Sequence, residues 1–359
     1  MTASTNSSDR PLLALTMGDV AGIGPEVVAL ALQDDDVLQR CRPLVVGDAD
    51  VLQRAFEMLQ IRRPIEEIDS LDDLPADDDA VACWNPSTVD VGDVPPGRVH
   101  PRAGQAAYQW LVASANAALQ GSVDGIVTAP LNKAALHAGG HEYPGHTEIL
   151  AEVCEVDDFA MMLYLPHCQI VRGPCGLGVV HVTLHTSIAS VPGLLSTEVV
   201  FEKISLMDRF LKRIGCAAPR VGVCALNPHA GEQGLFGNEE SRIIQPAVEQ
   251  ARLDAIDAEG PSPADTLLQR AVHGAFDGVV AMYHDQGHIA LKLIAFQKAV
   301  NVTLGLPIVR TSPSHGTGFD ISWRGMADGG GMREAIRVAV ELTRRPEPVP
   351  QSSSAEVQT

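Results

Sequence analysis

Two kinds of apolar patterning alternate along the chain. Six short runs are apolar at nearly every position: "PLLALTM", "RPLVVG", "VDGIVTAP", "GVVHVTLH", "PRVGVCALNP" and "FDGVVAMYH". Uniformly apolar runs of this length suit strands buried on both faces. Between them lie longer amphipathic stretches: "GPEVVALALQ", "ADVLQRAFEMLQ", "GQAAYQWLVASANAALQ", "STEVVFEKISLMDRFLKRI" and "NEESRIIQPAVEQARL". Their apolar positions recur at helical spacing, so each is expected to be a helix with one face on a core. The alternation predicts an α/β fold with a mainly parallel sheet. "VDGIV" and "FDGVV" open alike, but their flanks differ, which reads as shared turn chemistry and not as an internal repeat.

Length and composition sharpen this picture. A chain of 359 residues suggests about two domains, and 45% apolar residues provide for a large core. Residues 1–10 and the Pro/Ser-rich tail 346–359 are expected to be disordered. The acid-rich "LDDLPADDDA" reads as a solvated loop. No apolar run approaches the roughly 20 residues of a spanning helix. The polar N-terminus lacks an apolar signal core, so a cytoplasmic protein is expected. Seven cysteines, at 41, 83, 154, 168, 175, 216 and 224, show no C-x-x-C spacing and are expected to be reduced and mostly buried. The formal net charge of -19 argues against nucleic acid or an anionic membrane as partner. An anionic substrate would need a local basic cluster working against that field.

In α/β folds ligands bind beyond the carboxyl ends of strands, so the candidate chemistry is sought at the strand exits. "TMGDVAGIGPEVV" carries Gly18, Gly22 and Gly24 with Pro25 suited to a first helical turn. It matches neither the dinucleotide fingerprint nor a Walker loop, and a plain strand–helix turn explains it as well as a ligand loop does. "TAPLNKAALHAGGHEYPGHTEIL" brings Lys133, then His146, Thr147 and Glu148 at a helix start that could hold an anion; the plainer alternative is that Thr147 caps the helix. In "VVHVTLHTS", His181 and His185 are expected to share a strand face. His181 reads as a core histidine and His185 as the better ligand. "VCALNPHAGEQGLFGNEE" crowds Asn227, His229 and Glu232 into a Gly-rich turn. "AMYHDQGHIALKLIAF" passes from a buried strand to His284, Asp285, His288 and Lys292. Three strands thus each deliver a histidine, His185, His229 and His284. Three neutral imidazoles with an open position form a zinc-type catalytic set; histidines bonded to loop carbonyls are the alternative. Further along, Asn301 and Arg310 are polar in an apolar context, and "HGTGFD" offers His315 and Thr317 on a backbone that a ligand can approach closely.

Together the motifs "MGDVAGIGPE", "TAPLNK", "GHTE", "NPHAGE", "PADT", "MYHDQG", "NVTLGLPIVRTS" and "HGT", in this order over nearly the whole chain, resemble the 4-hydroxythreonine-4-phosphate dehydrogenase (PdxA) family. The resemblance implies a fold like that of isocitrate and isopropylmalate dehydrogenases, two α/β domains with a central cleft. On that basis residues 11–130 plus 300–345 form the first domain, with the cofactor loop, and 131–299 the second, with the metal and the dimer interface. It implies a homodimer with shared active sites, NAD or NADP as cofactor, and a divalent metal, Zn2+ foremost with Mg2+, Mn2+ or Co2+ as alternatives. By motif match, His185, His229 and His284 are the metal ligands. His146, Thr147, Lys292, Asn301 and Arg310 contact a small anionic substrate. Lys292, Asp265 and Asp285 belong to the catalytic centre, and His315, Gly316 and Thr317 hold the cofactor.

The implied reaction is oxidation of a secondary alcohol β to a carboxylate, with loss of CO2. The implied substrate is 4-hydroxythreonine 4-phosphate or a related 4-phosphorylated hydroxy acid. "GHIALKL" and "GTGFDISWRG" are similar to the catabolic branch, which adds threonate and erythronate 4-phosphates and the terephthalate cis-dihydrodiol as alternatives. The segment from Pro166 to Gly178 is longer than the family's usual connection. A metal-dependent hydrolase or lyase is the rival reading, and a non-catalytic sugar-acid-binding relative a third.

Overall fold

The computed structural model of the chain describes residues 10–75, 79–295 and 298–344. The termini expected to be disordered lie outside these residues, Arg10 excepted. Among the described residues twelve strands form one sheet: β1 (Leu12–Thr16), β2 (Arg42–Val46), β3 (Ile65–Ile68), β4 (Val81–Trp84), β5 (Gly125–Thr128), β6 (Ala160–Leu165), β7 (Leu177–His181), β8 (Arg220–Cys224), β9 (Asp257–Ser262), β10 (Gly278–Ala281), β11 (Val300–Leu304) and β12 (Arg310–Pro313). Their order is β3-β4-β2-β1-β5-β12-β11-β6-β7-β10-β8-β9. The strands of 11–130 and 300–345 fill one side of this order and those of 131–299 the other.

The α/β expectation holds, and the sheet is mainly parallel within each half. The centre is different. β12 with β11, β11 with β6, and β6 with β7 are antiparallel pairs. Three reversals make β7, β10, β8 and β9 run opposite to β1, β2 and β5, so the strand exits do not share one edge.

The apolar runs became strands because both faces are covered. β5, β6, β7 and β10 are buried at every position. The five foreseen helices form, Pro101–Leu119 and Thr197–Arg213 being the longest. The last opens with a π turn, Glu240–Ile244, before Gln245–Leu253. The structure shortens one strand. β7 ends at His181, and His185 lies in the irregular segment beyond it, so the two histidines do not share a strand face. The polar stretch after β10 is not a loop: His284–Ala295 is a helix of 12 residues. All seven cysteines are free, and Cys41, Cys83, Cys216 and Cys224 are buried. Among the described residues no helix is long and apolar enough to cross a membrane.

Candidate active site

The parallel neighbours β7, β10 and β8 deliver their exits side by side. The β7 exit continues along β10, with Val182 N–H donating to Ala281 O (2.8 Å) and Thr183 Oγ1 to Met282 O (2.9 Å). This brings His185 beside His284, with ring centroids 5.8 Å apart. The two border a cavity of about 420 Å³ with Leu184, Ile188, Val191 and Tyr283.

Each residue of "HDQGH" has a distinct job. The Asp285 carboxylate can only accept, so His284 Nδ1 donates to its Oδ1 (2.7 Å) and the Nε2 lone pair is left for a ligand. Gln286 accepts from Met282 N (2.7 Å) and donates to Ala225 O (2.8 Å), which ties β10 to the exit of β8. A Cβ on Gly287 would lie 2.5 Å from His181 Nε2. His288 Nδ1 meets that Nε2 at 3.1 Å, and its ring stacks on His284 at 3.8 Å. Burial lowers the pKa of His181 to about 4 and that of His288 to about 2, with the neighbouring imidazoles adding to the second. Lys292 follows on the same helix face, half-buried.

The nitrogens of His185, His229 and His284 do not converge within 4.8 Å of one another. His229 opens a left-handed turn: His229, Ala230, Gly231, Glu232 and Gln233 all have φ between 43° and 78°. Such a backbone costs a non-glycine residue about 1–2 kcal/mol, and strain of this kind persists only where its surroundings impose it. The buried Glu240 braces the segment that leads into the turn. Its Oε1 accepts from Leu226 N (3.0 Å) and Asn227 N (2.7 Å), while Asn227 Nδ2 donates to Glu239 (2.7 Å) and to Glu240 Oε2 (3.1 Å). Glu240 escaped the sequence reading because it lies in a helix that also reads as amphipathic.

The donor set suits a borderline divalent ion. His284 has a fixed tautomer with a free Nε2. The pKa of His185 is lowered, by burial first and then by Lys133, so its imidazole is neutral and able to coordinate.

A cation suited to an anionic substrate is buried nearby. Arg310 is 2% exposed; its guanidinium donates to Thr303 Oγ1 (3.0 Å) and Thr128 Oγ1 (2.8 Å), and its buried Nε has no partner. Burial lowers its pKa to about 10, which leaves it charged at neutral pH. His146, half-buried, is held well below the usual imidazole range by burial and by Arg310. Thr147 does not cap the helix His146–Val153: Gly145 is the N-cap, and no side chain caps it. The Glu148 carboxylate acts on both His185 and Arg310, which links the two groups electrostatically. Asn301 Oδ1 is buried without a partner. Asp265 is exposed and accepts from Thr266 N (2.8 Å).

The "HGT" loop packs on the exit of β1. Ile23 N donates to Thr317 O (2.9 Å), and a Cβ on Gly22 would meet that oxygen at 2.6 Å, so close packing accounts for this glycine. Glu26 accepts from Trp323 N (2.6 Å) and Gly325 N (3.0 Å), latching the two loops together. His315 Nε2 is buried without a partner, and Gly316 is exposed with open space around it.

The family model for "Pyridoxal phosphate biosynthetic protein PdxA" matches residues 39–339. The chain belongs to the PdxA family. It is 43% identical over 336 residues to the D-threonate 4-phosphate dehydrogenase of Cupriavidus necator, covering 93% of this chain and 98% of that protein. A crystal structure of a 4-hydroxythreonine-4-phosphate dehydrogenase from Burkholderia phymatum superposes with a TM-score of 0.77 at 44% identity, over 93% of this chain and 98% of that one. A terephthalate 1,2-cis-dihydrodiol dehydrogenase from Burkholderia xenovorans is more distant, at TM-score 0.63 and 32% identity over 92% and 98% of the two chains. As a PdxA-family protein, the chain is an oxidoreductase.

Away from these residues, Cys175, Cys216 and Asp277 offer ligand atoms within 4.8 Å of one another. Asp277 already accepts from Arg220 N (3.0 Å) and Nε (3.3 Å), and the Cys216 thiol is pushed up to about 12, first by burial. We read this group as packed thiols beside one ion pair.

Two outcomes test this geometry. Glu240→Ala removes a buried carboxylate from two backbone donors, so stability should fall by about 2–4 kcal/mol, with faster proteolysis at 229–236; an unchanged denaturant midpoint would show that the turn needs no brace. Asp19, fully buried with Oδ2 unpartnered, has its pKa raised by burial from 3.8 to about 6. Its native state is favoured below pH 3.8, and that advantage is lost as pH rises through 6. Asp19→Asn should therefore stabilise the protein at pH 8 by on the order of 3 kcal/mol, with the gain shrinking towards pH 4. A pH-independent gain, or none, would contradict the buried-charge account.

Proposed function

We propose that the protein oxidises the secondary alcohol β to the carboxylate of a 4-phosphorylated hydroxy acid, with loss of CO2, using NAD or NADP and a divalent metal, Zn2+ foremost. Buried Arg310, with a guanidinium nitrogen still unpartnered, carries this reading. On a chain of net charge -19, such a cation serves an anion that reaches it. Relatives named for phosphorylated hydroxy acids stand at 40–44% identity, against 32% for the dihydrodiol enzyme.

Arg310, Lys292 and the His146–Thr147 helix end would hold the anionic tail, with Asn301 facing the substrate. His185, His229 and His284 would hold the metal, and the 315–317 loop the nicotinamide cofactor. When bound, the metal would lower the pKa of the substrate hydroxyl, and the nicotinamide would take up the hydride. Asp285 keeps the His284 proton on Nδ1. Neutral His146 adds no charge of its own, and its one N–H is directed at the Ala129 carbonyl.

In this reading the active protein is a cytoplasmic homodimer with a cleft between two domains, and His229 reaches the metal of its partner. That the ligand nitrogens of the three histidines do not all come within 4.8 Å of one another in one chain supports the sharing. So do the exposed apolar side chains beside each histidine element: Ile188, Phe236, Ile289 and Leu293.

Wild-type protein should reduce the nicotinamide with D-threonate 4-phosphate or 4-hydroxythreonine 4-phosphate and not with the terephthalate cis-dihydrodiol. Arg310→Ala should lower kcat/KM for the phosphorylated substrate by about 10–100-fold. Turnover of the dihydrodiol alone would overturn the substrate assignment.

A further inference from the structure

Behind His284 lies a second pair of imidazoles that the proposed reaction does not use. His181, at the end of β7, and His288, one helical turn beyond His284, are 1% and 7% exposed. Their protons are ordered by the partners available. His181 Nδ1 lies 3.4 Å from Met161 O, and a carbonyl can only accept, so Nδ1 carries the proton. The Nε2 of a neutral His181 is then a lone pair. It faces His288 Nδ1 at 3.1 Å, so His288 must donate through Nδ1. The His288 ring lies flat under that of His284, with centroids 3.8 Å apart and planes 13° apart. His284 is held from its other side by Asp285. Space for the pair is built into the chain: at Gly287, a Cβ would lie 2.5 Å from His181 Nε2 and 2.7 Å from Val179 Cγ1.

We propose that His181 and His288 are positioning residues: a proton-ordered imidazole pair that fixes the ring plane of His284, so that Asp285 can hold its tautomer. Stacking on a bonded ring leaves His284 one orientation, and Asp285 then selects the Nδ1-protonated form. The Nε2 lone pair is thereby aimed before any metal arrives. This inference rests on the metal reading only for its purpose. The proton order and the ring orientation are properties of the metal-free protein.

The test uses full-length protein with 15N-labelled histidine. In the metal-free wild type, long-range 1H–15N correlations should report the Nδ1-protonated tautomer at His181, His288 and His284. His288→Leu should convert His284 to a mixture of tautomers. Gly287→Ala, which removes no imidazole but drives a methyl into His181, should do the same. His288→Asn keeps a donor close to the Nδ1 position and should largely preserve the His284 signal. Cobalt(II) titration then reads the consequence: Kd about 10–100-fold weaker in His288→Leu and Gly287→Ala, and close to wild type in His288→Asn. An Nε2-protonated His181, or a single unchanged His284 tautomer in both disruptive variants, would overturn the proposal. Wild-type protein that takes up no cobalt would instead sink the metal reading, while the tautomer result still decides the positioning claim.

Discussion

One turn of helix, residues 284–288, holds the histidine end of the sheet together. β10 lies between β7 and β8, and the turn that follows it reaches both neighbours. Gln286 bonds to Ala225 beyond β8, and His288 bonds to His181 at the end of β7. These contacts are buried or half-buried, where an unmade hydrogen bond costs more than a made one gains. The turn therefore fixes how three strand ends sit relative to one another, and His284 is placed as a consequence. A site built on such a scaffold is aimed by the fold and needs little rearrangement to bind.

The same economy governs charge. The protein is strongly acidic, yet its candidate site places a buried arginine and several neutral imidazoles close together. Arg310 stays charged because hydroxyls of Thr128 and Thr303 replace part of its hydration. His146 stays neutral because burial and that arginine both oppose a second charge. Glu148 moderates the field at Arg310 and His185 alike. An anion entering here meets one strong cation beside a neutral imidazole, an arrangement that binds a tail without trapping it in a crowd of like charges.

Much of this was legible from the chain. Strands apolar on both faces announced the α/β class, and the ordered motifs announced the family. What escaped is non-local. β9, "DAEGPS", has weak strand propensity and forms at the sheet edge by pairing with β8. β3, "IEEI", is the other edge, with two exposed glutamates. The direction reversal at β6 and β11 depends on which strands pair, which periodicity does not encode. His181 and His185 sit four apart, but only β7's end, set by the β10 neighbour, decides that they part ways. The bond between His181 and His288 spans 107 residues. The one local hint was Gly287, a glycine inside what proved to be a helix, kept clear for a ring from another strand.

The central claim is that His185 and His284 of one chain and His229 of its partner serve a single metal. It is tested most directly by exchanging subunits between His284→Ala and His229→Ala proteins, each inactive alone. If the site is shared, half of the randomly mixed dimers carry one intact site, so metal content and turnover should recover to about a quarter of wild type. If all three histidines belong to one chain, verified exchange would restore neither, and the account of the site would be wrong.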